Sequence, residues 1–254
     1  MNLGSFLVAY RHTKAVEARL QDNRARILDA ARTLVGEGGW QEAQVANVAA
    51  SAGIATGTVY RYFHSKAELF AEVLSRVSQR EVDVLGDIAT SEGTALDRLH
   101  SMVATFVRRA MRNPRLAYAM IAEPCDKEID EVRLKYRAAI SEVVRSIIAA
   151  GQQDAGMRAD VHPEIAASVI VGGFMEGLIG PLSPLNHQQV RDSATYQREV
   201  ARLAGQIACM ACAGVAASPP PPQEPTSTGD KHEQAPSPRR ARGRRQPLPH
   251  PPGA

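Results

Sequence analysis

Within the eleven residues from Tyr60 to Phe70 the sequence gathers four of its twelve aromatic side chains, Tyr60, Tyr62, Phe63 and Phe70, beside the cations Arg61 and Lys66. Thr56, Gly57 and Thr58 stand just ahead of them. Hydroxyls and cations at this density are donors for phosphate oxygens and base edges, so the chemistry they suit is contact with double-stranded nucleic acid. Other groups are weaker in pattern. Cys209 and Cys212 form a C-x-x-C that reads either as a redox pair or, on a helix rich in Ala and Met, as two small core residues. Asp126, Glu128, Asp130 and Glu131 follow Pro124 and read either as a carboxylate cluster or as charges complementing a helix N-terminus. The histidines (His12, His64, His100, His162, His187, His232 and His250) form no H-x-x-x-H pair and no cluster with cysteine, so neither a metal nor another cofactor is expected. Phosphate-cradling, dinucleotide and nucleophile-elbow motifs are all missing. No catalytic residue is therefore assigned, and the chain is not expected to be an enzyme.

The elements that position these groups follow from hydrophobic period. Ile27, Ala30, Ala31, Leu34 and Val35 recur at helical spacing, predicting a helix from Asp22 that stops at Gly38 and Gly39. Val45, Val48, Ala49 and Ala52 repeat the spacing over two turns before Gly53, and Thr56 opens a third helix ending near Phe63. Two short helices around a glycine have the dimensions of a helix-turn-helix, whose second helix enters the major groove, although any αα-hairpin with a glycine turn shares the spacing. Val59 and Phe63, at i and i+4, form the buried stripe, leaving Thr56, Gly57, Thr58, Tyr60, Arg61 and Tyr62 outward or lateral. Ser65 and Glu68 make a capping box ahead of Leu69, Phe70, Val73, Leu74 and Val77, the start of a long fourth helix. Helical patterns then cover 95–112, 115–122, 128–153, 163–179 and 190–213, with no alternating β-branched run between them. The expected fold is all-α, with an N-terminal helix-turn-helix DNA-binding domain over 22–70, preceded by an extension over 1–21. A helical-bundle domain for regulation and dimerisation covers 71–217.

The formal charge of +3 on 254 residues is matched by the excess within 218–254, where six basic residues face three acidic ones. Eleven of the sixteen prolines also follow Ser218, with Arg239, Arg240, Arg242, Arg244 and Arg245 among them. This Pro/Arg-rich tail cannot bury enough apolar surface to order itself, and it either sweeps DNA beside a binding site or touches nothing. The longest apolar run, Ala208 to Ala217, falls short of the roughly 18 residues that cross a membrane. The first ten residues do not read as a signal peptide, and three cysteines do not make a disulfide framework. A cytoplasmic protein with no membrane partner is expected.

From Val48 to Phe70 the chain reads VAASAGIATGTVYRYFHSKAELF, and with its G-T-x-Y-x-Y-F-x-S-K core it resembles the DNA-binding domain of the tetracycline-repressor (TetR) family over residues 24–70. The resemblance implies a homodimeric repressor of a pseudo-palindromic operator, released when its C-terminal domain binds a small molecule. It also implies that Thr56, Gly57, Thr58 and Tyr62 face bases and nearby backbone, and that Tyr60 and Lys66 meet phosphates. Alternatively, Tyr62 caps the small domain's core and Lys66 is a solvated lysine. The sequence departs from the family pattern where helix two begins: Ala43 and Gln44 replace the usual Thr or Ser, so a side-chain cap worth roughly 1 kcal/mol is missing. Ala46 cannot hydrogen-bond a base. Two other functions stay open: a helical carrier or enzyme using an apolar pocket, and a constitutive architectural DNA binder.

In the larger domain Ala201, Gly205, Ala208 and Cys212 form a small-residue stripe, and Gly173 and Gly177 repeat the small-xxx-small spacing one helix earlier. The resemblance implies that these last two helices build the dimer interface; the alternative is tight packing inside one subunit. Met102, Phe106, Met111, Tyr118, Met120, Ile121, Phe174, Met175 and Leu178 suit an adaptable ligand pocket, and equally an ordinary core. Few ionisable groups lie in these stretches, which, with the family's habits, points to a small hydrophobic, lipid-like effector. Glu123 and Arg112 are the candidate polar anchors.

Overall fold

The computed structural model describes the backbone of residues 3–186 and 193–217, with side chains from residue 16 onward. The tail over 218–254, with its arginine run, and the expected start of the last helix near Val190 lie outside the described residues.

Helix α1 (Leu3–Glu42) begins well before Asp22 and does not end at the glycine pair. Gly39 (φ 80°, ψ −169°) kinks it instead, and a further turn follows. That turn persists because Trp40 is buried, with its indole N–H donating to the Ala119 carbonyl at 2.9 Å and its ring edge-on to Phe70. Helix α2 (Val45–Ala52) starts at Gln44 without a side-chain cap, as the missing Thr or Ser led us to expect. It ends at Gly53, whose left-handed conformation (φ 66°) lets its N–H return to the helix carbonyls. Helix α3 (Thr56–Val59) is shorter than the sequence predicts: after Val59 the bonds loosen to i→i+3 at Arg61 and Tyr62 before Phe63 N–H reaches Val59. Helix α4 (Lys66–Ala89) is capped by Ser65, which accepts from Glu68 N–H at 3.0 Å. Only half of the expected capping box forms, because the Glu68 carboxylate takes the backbone N–H of His64. That hydrogen bond holds the Glu68 carboxyl below its ordinary range.

The bundle follows as α5 (Ala95–Ala110), α6 (Pro114–Ile121), α7 (Lys127–Gln153), α8 (Pro163–Leu182) and α9 (Ser193–Ala213). Pro114 and Pro163 each open a helix, where a missing N–H costs nothing. A complete capping box, Thr94 with Asp97, starts α5. Pro181 lies inside the last turn of α8 rather than ending it. Among the described residues there is no strand, only a single antiparallel bridge between Met157 and Ala216.

Two cores hold the chain. The bundle core is built on Leu99, Met102, Val103, Phe106, Ile147, Ile148, Phe174 and Leu178. The other joins Ile27, Val35, Val48, Val59, Phe63 and Phe70 to Leu116, Ala119, Met120, Ile129 and Tyr136 of α6 and α7, so packing does not divide at residue 70. Helix α8 is apolar on all sides. By length and composition it could cross a membrane, a point missed by counting uninterrupted apolar runs because Glu164 and Glu176 break the sequence. One face, including Val171, Phe174 and Leu178, enters the bundle core, while Ile165 and Val169 on the other are 66% and 67% exposed.

Candidate nucleic-acid interface and internal cavity

Val59 and Phe63 are buried as the spacing requires, and they anchor α3 and its following turn so that a hydroxyl-rich surface points outward. Thr56, Gly57 and Arg61 are exposed, Thr58 is half-buried, and Tyr60 stands 49% exposed. Tyr62 takes an intermediate position: its ring packs against the core while its hydroxyl accepts from Asn23 Nδ2 at 3.3 Å. Lys66 lies beside the same surface, 3.4 Å from Gln44 Oε1 and with its ammonium 5.8 Å from the Phe70 ring centroid. Thr56, Gly57, Tyr60 and Arg61 thus lie open to solvent on α3 and its following turn, whereas Tyr62 packs on the core and is tied to α1, which is the core-capping alternative. The hinge between α2 and α3 is fixed from α1, where the Arg26 guanidinium donates to the Ala52 carbonyl. Gln44, read from the sequence only as a missing helix cap, is exposed and lies within reach of Lys66 Nζ; Asn47, exposed on α2, was not singled out.

A cavity of about 130 Å³ lies where α4, α5, α6, α7 and α8 meet. Of the expected ligand residues, Phe106, Met120, Ile121 and Met175 line it. Met102, Phe174 and Leu178 lie in the bundle core and Tyr118 packs beside it; none of the four reaches the cavity wall. Neither expected polar anchor is there. Glu123 is engaged by Arg115, and Arg112 lies off the wall. The polar wall comes instead from Glu81, Arg109, Arg133, Tyr136 and Arg137. Glu81 and Arg109 form a two-bond pair at 2.7 and 2.8 Å, and the Glu81 contact keeps the guanidinium's pKa raised. The Tyr136 hydroxyl is tied to Ser75 of α4 at 2.9 Å.

The small-residue stripe divides. Ala208 is fully buried in the chain's own core, and Cys212 Sγ approaches the Leu96 carbonyl at 3.7 Å, so these two turn inward rather than toward a partner. Ala201, Gly173 and Gly177 are exposed and Gly205 partly so. A Cβ added at Gly173 or Gly205 would meet nothing within 4 Å, whereas one at Gly177 would touch Ile207 at 3.5 Å. Burial pushes the Cys212 thiol up to about 11, and Cys209 is exposed 4.0 Å from His100 Nε2. The acidic residues after Pro124 sit at the start of α7, where Asp130 pairs with Arg133 and Glu131 with Lys127, the arrangement of a decorated helix N-terminus.

Residues 27–73 match the profile of the bacterial regulatory proteins of the tetR family. The HTH-type transcriptional repressor KstR of Mycolicibacterium smegmatis is 41% identical over 101 residues, which are 39% of this chain and 49% of that protein. The chain thus spans about half the length of the first curated relatives it matches. The fatty acid metabolism regulator protein of Bacillus subtilis is 22% identical over 158 residues, covering 59% of this chain and 79% of that protein. Among solved structures, the transcriptional regulator FadR from Bacillus subtilis in complex with stearoyl-CoA superposes with a TM-score of 0.64. It is 19% identical over 75% of this chain and 98% of that one, a likeness of fold.

Proposed function

We infer what this chain does from the premise that it is a member of the tetR family of bacterial regulatory proteins. On this reading it is a homodimeric transcriptional repressor that holds a pseudo-palindromic DNA operator and releases it when a small hydrophobic effector enters the cavity.

The observation that carries the reading is the course of α4. Its first turns place Leu69, Phe70, Val73 and Leu74 in the core of the helix-turn-helix, and the next turns place Val77, Ser78 and Glu81 on the cavity wall. At about 1.5 Å per residue, Leu74 and Glu81 are roughly 10 Å apart on one rigid rod. An effector that binds better to a wider cavity favours a displaced α4, and with it a displaced Lys66 and recognition surface. The coupling equals the difference in its affinity for the two arrangements.

In this assignment Tyr60 and Lys66 hold phosphates while Thr56, Gly57, Thr58 and Tyr62 face bases and nearby backbone, with Arg61 at the edge of the contact. Two such surfaces one helical turn apart need a two-fold axis. The outer face of α8 and α9, with Ile165, Val169, Gly173, Gly177, Ala201 and Gly205, suits a second copy, because apolar residues at this exposure call for a cover. The apolar lining of the cavity favours an effector with hydrocarbon character. We prefer a role on DNA in the cytoplasm to a carrier or an enzyme because the hydroxyls of Thr56, Thr58 and Tyr60 stand in the segment that matches the tetR-family profile, with Lys66 beside them.

Selection from random DNA followed by footprinting tests this. The expected result is a saturable footprint of two half-sites about 34–36 Å apart, relieved by molecules extracted from the purified protein. Protection without register would favour an architectural binder, and binding of small molecules without any footprint would favour a carrier.

A further inference from the structure

Three arginines and one glutamate line the cavity, and only one of the four charged groups is unspent. Glu81 accepts both of its bonds from Arg109. Arg133 is consumed in closing the end of α6, donating to the carbonyls of Ala119, Met120 and Glu123 and to the Asp130 carboxylate. Arg137 makes no hydrogen bond and no ion pair among the described residues, and its Nε is buried with no partner. It stands in the wall with Val77, Phe106, Met120, Ile140 and Met175. A buried donor left unpaired on a cation is costly, and an apolar wall offers it no compensation.

We propose that Arg137 is the anchor for an oxyanion head group, so that the effector is an amphipathic anion rather than a neutral apolar molecule. The inference rests on the reading of this cavity as the effector site. A guanidinium presents parallel N–H donors that match a carboxylate or phosphate, and its charge is not lost on partial burial. The apolar lining takes the hydrocarbon part. The cavity, about 130 Å³, takes the part of the hydrocarbon next to the head group. Glu81, neutralised by Arg109, does not repel the anion as a bare carboxylate would.

Calorimetric titration of the full chain with octanoate, octyl phosphate and octanol tests the assignment. At least one anion is expected to bind tenfold or more tightly than octanol. Arg137→Gln should bring both anions to within about twofold of octanol while octanol itself binds as before, which also reports an intact cavity. Whichever anion binds better identifies the head group. Should Arg137→Gln not fold, Arg137→Met takes its place with the same two expectations. Octanol binding as tightly as both anions, an anion preference that survives Arg137→Gln, or no binding by any probe would overturn the proposal. Operator release is measured separately. Arg137-dependent binding with no effect on DNA leaves the anion site standing and removes the regulatory reading. Release by octanol and octanoate alike leaves the regulatory reading standing and removes the anchor.

Discussion

Arg115, in the first turn of α6, and Glu123, just beyond its C-terminal end, clasp each other along the length of that helix and, in doing so, hold the kink of α1. The guanidinium donates to the Glu123 carboxylate at 3.0 and 2.7 Å, and its Nη2 also reaches the Gly38 carbonyl at 2.7 Å. Glu123 in turn accepts from Trp40 N–H at 3.3 Å. One ion pair thus seats the final turn of α1 against α6.

Gly39 is the residue this arrangement cannot replace. Its φ of 80° with ψ of −169° is a region that side chains avoid, and a Cβ there would lie 1.6 Å from Arg115 Nη2. Gly39→Ala is expected to lose about 1–3 kcal/mol from backbone strain alone, and more as the guanidinium is pushed aside. Urea unfolding should show a lower midpoint at unchanged slope; an unaltered midpoint would refute the account.

The ion pair itself is mostly buried, with the two side chains 18% and 12% exposed. Glu123→Ala leaves the guanidinium only the Gly38 carbonyl as a hydrogen-bond partner and should cost about 1–3 kcal/mol, the range for a buried polar group that loses its partner. Because solvent ions reach it poorly, the loss should be similar in low and high salt. A loss that vanishes in concentrated salt would mark the contact as a surface pair.

On DNA, Tyr60→Phe and Lys66→Ala are expected to weaken operator binding without altering the selected sequence, since phosphate contacts position and base contacts specify. Thr58→Ala should instead change preference at one position per half-site, by about 1–3 kcal/mol. Competitive selection with wild-type and variant proteins separates the two behaviours, and an unchanged motif for Thr58→Ala takes that residue out of the base-reading group.

Gly205→Leu offers a clean test of the α8–α9 face, because an added Cβ meets nothing within 4 Å in the single chain. The variant should keep its helical content and lose its dimer, with operator affinity falling alongside. Overpacking at a close interface typically costs about 1–3 kcal/mol. Analytical sedimentation that shows a full-strength dimer would move the interface elsewhere.

Cys209 and Cys212 should behave as unrelated thiols. With its pKa pushed up to about 11, Cys212 remains protonated through neutral pH and turns into nucleophilic thiolate only as pH climbs toward that value. Iodoacetamide at mildly alkaline pH is expected to modify the exposed Cys209 and spare Cys212, as read by peptide mass. Equal labelling, or a disulfide between them under mild oxidation, would restore the redox pair.

Local pattern made much of this molecule readable. Apolar period and opening prolines located α5 to α8 and the end of α9 to within a few residues, and Val59 with Phe63 fixed which side of α3 faces outward. What stayed hidden depended on distant neighbours. A glycine pair reads as a stop, yet the helix continues because Trp40 finds Ala119 and Phe70. The stripe through Ala201, Gly205, Ala208 and Cys212 lies only partly on the outside, since the inward face of α9 runs through Val200, Ala204 and Ala208. Arg137 is not legible in the sequence because apolar period marks a pocket lining, whereas one cation among the many of α7 carries no such mark. The charged wall is contributed by α4, α5 and α7, which meet only in three dimensions.

The sharing of one core by α1, α4, α6 and α7 bears on how this protein can exchange parts with its relatives. A crossover placed after Phe70 would supply the recognition helices from one parent and Leu116, Ala119, Met120, Ile129 and Tyr136 from the other, so the seam would cut through packed side chains rather than a linker. Such chimaeras should inherit operator preference only when the foreign α6 and the first half of α7 travel with it, or when those five positions are repacked to match. New specificities are therefore more readily reached by point changes on the exposed part of α3, where Thr56 and Gly57 lie open to solvent, than by swapping the whole N-terminal unit.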